Sequence, residues 1–142
     1  MSMHADTKKA LKHLREGSFT CVLCRGEEML TATARGVAPL LHFLDNCPCL
    51  QGFCAADKVV GAGAAYLYVL LGVREVFAEV ISTPALEILT RYGVFADYAE
   101  HVPQIRNRDG TGFCPIEGAV ADATDPQDAL ARIRHRLAEL RK

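Results

Sequence analysis

The chain has 142 residues, half of them hydrophobic, with 16 Lys and Arg against 17 Asp and Glu for a formal charge of -1. That length suits one domain, residues 1–142, able to bury a core without disulfide staples. The aliphatic content excludes intrinsic disorder, and the charge balance leaves no footprint for general nucleic-acid binding.

The first residues, MSMHADTKKALKHLREG, turn polar at once and offer no apolar core for a secretory signal. Residues 6–16 read as a helix with Ala10, Leu11 and Leu14 on one face and Gly17 as terminator. Phe19, Cys21 and Leu23 then alternate with polar or β-branched neighbours, as do Leu30, Ala32 and Ala34. Arg25-Gly26-Glu27-Glu28 between the two runs predicts a β-hairpin. Val37, Leu40, Leu41 and Leu44 have helical spacing over 37–45, which leaves His42 facing solvent.

After the loop CPCLQG, Phe53 to Ala56 predicts a short strand, and Asp57 opens an apolar helix that Gly72 closes. The uncharged stretch from Val59 to Val73 falls short of the roughly 20 residues of a membrane span, so a buried core helix is expected. Val76 to Ile81 reads as a strand. Thr83-Pro84 then has the form of an N-cap followed by proline at the first helical position. Phe95 to Val102 predicts another strand, Asn107 to Phe113 a glycine-bearing loop, and Pro115 and Pro126 two further helix starts. On the last helix Leu130, Ile133, Leu137 and Leu140 form a stripe that covers its own core or another subunit, so a homo-oligomer stays open. Its acids come first and its bases last, a charged solvent face matched to the helix dipole. Alternating strands and helices predict an α/β, three-layer α-β-α arrangement around a mixed sheet.

An apolar helix followed by a strand ending in Ser-x-Pro and a second helix is similar to the zinc deaminase scaffold. That scaffold needs Cys or His ligands and a proton-carrying glutamate at the two helix starts. Here the corresponding stretches are Asp57-Lys58-Val59 and Pro84-Ala85-Leu86-Glu87-Ile88. The proline is kept, but neither stretch offers the soft ligands, so no zinc and no deaminase reaction are expected. The blocks ADKVVG at 56–61, STPALEIL at 82–89 and NRDGTGFCPIEGAV at 107–120 resemble an uncharacterised bacterial family, the domain of unknown function numbered 1893. The resemblance spans residues 8 to 135 and implies a cytidine-deaminase-like fold without the zinc motif. It implies no reaction.

The residues themselves name candidates. Asp57 and Lys58 sit where a strand is expected to give way to a helix, the edge at which open α/β sheets bind ligands and helix N-termini bind anions. Asp57 as a plain N-cap is the competing reading. Asn107 and Arg108, in the loop Asn107-Arg108-Asp109-Gly110-Thr111-Gly112, offer an anion nest or a simple tight turn. Cys114, before Pro115, is the best-placed reactive thiol, with inert packing as the alternative. Glu117 falls where a capping-box acid reaches back along its own helix.

Cys21 and Cys24 lie three apart in a strand and point to opposite faces, so they cannot share a metal. Whether Cys47, Cys49 and Cys54 do is left open. Val59-Val60-Gly61-Ala62-Gly63 imitates a dinucleotide-binding turn, but bulky Tyr66 stands where the third glycine belongs, and packing is the simpler role. The leading reading is a cytoplasmic, zinc-free domain binding a small phosphate compound or nucleotide at Asp57, Lys58, Asn107, Arg108 and Glu117. The alternatives are an enzyme of unassigned class using Asp57 or Cys114, and an interaction module without a small-molecule site.

Overall fold

A computed structural model describes residues 3–47, 49–106 and 114–141. In chain order the elements are α1 (Ala5–Glu16), β1 (Cys21–Arg25), β2 (Glu28–Ala32), α2 (Ala38–Asn46), β3 (Cys54–Val60) and α3 (Ala62–Leu71). They continue with β4 (Glu75–Ser82), α4 (Thr83–Arg91), β5 (Phe95–Val102), α5 (Pro115–Val120) and α6 (Pro126–Leu140). The five strands form one sheet in the order β2-β1-β3-β4-β5. β1 pairs antiparallel with both β2 and β3, while β3, β4 and β5 run parallel.

The hairpin forms as its turn chemistry dictates. Arg25 pairs with Glu28 across Gly26-Glu27, and Gly26 takes φ +60, open to glycine at no steric cost. β3, β4 and β5 are joined through α3 and α4, the right setting for parallel pairing. α1 lays Ala10 and Leu14 on one face of the sheet against Val22, Cys24 and Ala56. α2, α3 and α4 cover the other face, with Leu23, Ala55, Val76 and Ala78 beneath them. α5 and α6 pack on the outside of α3. The sheet is therefore mixed, with helices on both sides.

α3 shows why its sequence is uncharged. Every residue from Ala62 to Tyr68 is buried, because the helix is enclosed by the sheet and by its helical neighbours. On α6, Ile133 is fully buried and Leu130 and Leu137 pack against the same core, but Leu140 is 56% exposed. The stripe thus covers its own fold over three of its four members. Among the described residues no helix is long and apolar enough to cross a membrane.

One boundary differs from expectation in a way that moves the site. Asp57, Lys58 and Val59 do not open a helix; they belong to β3, and α3 starts only at Ala62. Asp57 pairs with Cys21 on one side and Ala78 on the other, and the Lys58 N–H donates to the Thr20 carbonyl at 3.1 Å. Past Asp57 the strand outruns β1, which begins at Cys21, so Lys58 and Val59 emerge into solvent. Lys58 thus marks a half-open strand end rather than a helix start. Asp57 is accordingly not an N-cap. α4 also begins one residue early, with the Ser82 hydroxyl capping it by accepting from the Ala85 N–H at 3.2 Å.

Candidate functional site

A cavity of about 780 Å³ opens beside the carboxyl end of β3, where β1 begins. Asp57 and Cys21 form its floor; the carboxylate residue is 9% exposed and the thiol residue 2%. Val37, Pro39 and Leu40 from the start of α2 and Ile116 from α5 give it apolar walls. Arg35, Lys58 and Arg106 are exposed around its mouth. Among the described residues these three cations take part in no ion pair.

Beneath the floor runs a short proton-bearing chain. The Tyr68 hydroxyl, fully buried on α3, donates to Asp57 Oδ2 at 2.6 Å. Its oxygen lies 3.2 Å from the Cys21 sulfur, whose S–H is then the donor. Burial pushes the Asp57 carboxyl up from 3.8 to about 6, opposed by the Tyr68 hydroxyl and the Val59 and Lys58 N–H groups. Burial also pushes the Tyr68 phenol and the Cys21 thiol well up, and the Asp57 charge adds to both. Near neutral pH the phenol and thiol keep their protons, and Asp57 is the member of the chain that ionises.

The positive end of α3 faces the same region but is already occupied. Glu117 reaches across from α5, its Oε1 accepting from the Ala62 N–H at 2.7 Å and its Oε2 from the Gly63 N–H at 3.0 Å. A Cβ at Gly61 would stand 2.6 Å from the Glu117 carboxyl carbon, and one at Gly63 would stand 2.6 Å from Ile116 Cγ2. The two glycines therefore serve the close approach of α5, not a dinucleotide. Glu117 does not close a capping box on its own short helix, because its carboxylate is drawn to unsatisfied donors that α3 presents nearer the core.

Of the residues singled out from sequence, Asp57, Lys58, Cys114 and Glu117 line this one cavity. Cys114 is half-buried at the N-cap of α5, its N–H donating to the Ile105 carbonyl at 3.3 Å. Asn107 and Arg108 lie outside the described residues. Sequence reasoning missed Cys21, Tyr68, Arg35 and Arg106, which sheet pairing and helix packing alone bring to this region. Cys21 and Cys24 do face opposite sides of the sheet, one in each hydrophobic cluster. Cys47 is half-buried, Cys49 is exposed and Cys54 is buried, and among the described residues no close group of metal-capable side chains unites the three.

A second cavity, about 500 Å³, lies on the far side of Glu117 and Ile105, which border both. Pro84 and Ile88 line it. At the starts of α3 and α4, Gly61-Ala62-Gly63, Ala85 and Ile88 carry no metal-binding side chain.

The profile of a domain of unknown function, DUF1893 (TM1506), matches residues 9–137. The chain belongs to this family. The crystal structure of a DUF1893 family protein (TM1506) from Thermotoga maritima superposes with a TM-score of 0.84 at 27% identity, over 97% of this chain and 92% of that one. The apo crystal structure of dCMP deaminase from the cyanophage S-TIM5 aligns at a TM-score of 0.44 and 13% identity, over 66% of this chain and 94% of that one. No curated protein matches the sequence.

Proposed function

We propose that this DUF1893 chain binds a small anionic ligand, a nucleotide or related phosphate compound, in the cavity above Asp57. The observation that carries the reading is the polarity of that cavity. Apolar walls suit a planar or aliphatic body, three cations at the mouth suit its anionic group, and a buried carboxylate at the floor suits an N–H-bearing edge. The anion meets Arg35, Lys58 and Arg106 rather than the α3 N-terminus, which Glu117 fills. All six cysteines are free thiols, which fits a reducing, cytoplasmic setting.

Calorimetry against nucleoside mono-, di- and triphosphates and inorganic phosphate tests the reading. Saturable binding weakened by Lys58→Ala and Arg106→Ala supports it; binding indifferent to both substitutions defeats it. A second reading rests on the Cys21–Tyr68–Asp57 chain: a carboxyl near pH 6 at the floor of a cavity is placed to exchange a proton with whatever the cavity holds. Under that reading Asp57 is an acid/base group and Asp57→Asn abolishes turnover while preserving binding.

A further inference from the structure

On the other face of the sheet, the first turn of α1 meets β1, β3 and the start of β4 in a group of donors that the cavity does not use. A ring nitrogen of His4, an Asp6 carboxylate oxygen and the Cys54 sulfur all lie within 4.8 Å of one another, and His4 Nδ1 is 3.8 Å from Asp6 Oδ2. Cys24 is the cross-strand partner of Cys54, so its thiol projects on the same face. Both cysteines are fully buried, whereas His4 and Asp6 are partly open to solvent and form the way in.

Two further polar side chains stand beside the group. The Thr7 hydroxyl, fully buried in the same turn, is turned toward the Cys54 sulfur and finds no other hydrogen-bond partner. Glu75 is a buried carboxylate whose Oε1 accepts the His4 N–H at 2.9 Å, and among the described residues it joins no ion pair.

We propose that His4, Asp6 and Cys54 bind one divalent cation of the zinc class. Imidazole, carboxylate and thiolate together are the donor set that such an ion prefers over calcium or magnesium. On binding, the Cys54 thiol gives its proton to solvent and its sulfur bonds the ion. The ion takes a nitrogen lone pair of the His4 imidazole. The Thr7 hydroxyl gains a thiolate to donate to, and Glu75 stays behind His4 as a supporting acceptor. The site lies apart from the cavity at Asp57 and does not depend on what that cavity holds.

The test uses the full chain, reduced and stripped with chelator, titrated with Co²⁺ as probe and then with Zn²⁺. The expected result is a single equivalent of Co²⁺ with a thiolate-to-cobalt charge-transfer band that Zn²⁺ abolishes. The band is lost in Cys54→Ser, affinity falls at least about tenfold in His4→Ala, and both Cys47→Ser and Cys49→Ser behave as wild type. His4→Ala, on a partly exposed residue, keeps the test valid where Cys54→Ser fails to fold. No Co²⁺ binding, a band that survives Cys54→Ser or disappears with Cys47 or Cys49, or a Cys24–Cys54 disulfide in place of the free thiols overturns the proposal.

Discussion

Replacing Gly61 with alanine probes the contact that ties α5 to α3. Gly61 has φ -99 and ψ -175, an extended conformation open to any residue, so alanine brings no backbone strain. Its Cβ would lie 2.6 Å from both the carboxyl carbon and Oε1 of Glu117 and 2.7 Å from Oε2. Glu117 must then swing out and give up its bonds to Ala62 and Gly63. A hydrogen bond to a charged group is worth roughly 1.5–3 kcal/mol, but water reaches this partly buried pair and recovers much of that. The loss of helix capping by itself is about 1 kcal/mol, so a net cost of about 2 kcal/mol is expected. For a chain of this size that corresponds to a Tm lower by roughly 4–8 °C. A double-mutant cycle isolates the cause: in a Glu117→Ala background, Gly61→Ala should cost only a few tenths of a kcal/mol, roughly. Urea denaturation of the four proteins gives the coupling energy. Equal cost in both backgrounds, or no cost in wild type, would refute the contact as the reason for the glycine.

Other expectations follow from burial and charge. Asp57 has its carboxyl raised from 3.8 to about 6, so ionising it opposes folding. Its stabilising contribution is full below about pH 4 and is lost as pH rises through about 6, for a total near 3 kcal/mol. Asp57→Asn should therefore flatten the stability profile between pH 4 and pH 7 and raise stability at pH 8; an unchanged profile would contradict the assignment. In native protein a thiol reagent should label exposed Cys49 first, while Cys21, Cys24 and Cys54 stay silent until urea unfolds the chain. Rapid labelling of any buried thiol would contradict the packing described. Ile133→Ala, on a side chain fully buried between α6 and the core, should cost about 2–4 kcal/mol in urea denaturation. A cost below about 1 kcal/mol would mean that α6 does not complete the core.

Much of the architecture is legible in the residues because local signals agree with the global fold. Gly26 marks the hairpin, the uncharged run after Val60 marks the enclosed helix, and Ser82 to Pro84 marks the start of α4 within one residue. The charges at 57 and 58 mislead because charge in a strand normally signals its end. Here one charge is buried against a tyrosine from the following helix, and the other escapes past a shorter neighbouring strand. The composition of the site is legible only in part for the same reason. Asp57, Lys58, Cys114 and Glu117 stand beside recognisable helix or strand ends, whereas Cys21 and Tyr68 reach Asp57 only through sheet pairing and helix packing. Glu117 could be recognised as a capping acid, but nothing local says that the helix it caps is α3, more than fifty residues away. His4, Asp6 and Cys54 are likewise dispersed along the chain and meet only once α1 docks on the sheet.

Isothermal calorimetry of the purified chain against a nucleotide panel decides whether the cavity above Asp57 is a site for an anionic small molecule. Saturable binding of at least one member is expected, weakened about tenfold or more by Lys58→Ala and by Arg106→Ala, with folding unchanged in both variants. No heat with any member, or equal affinity in wild type and both variants, would contradict it.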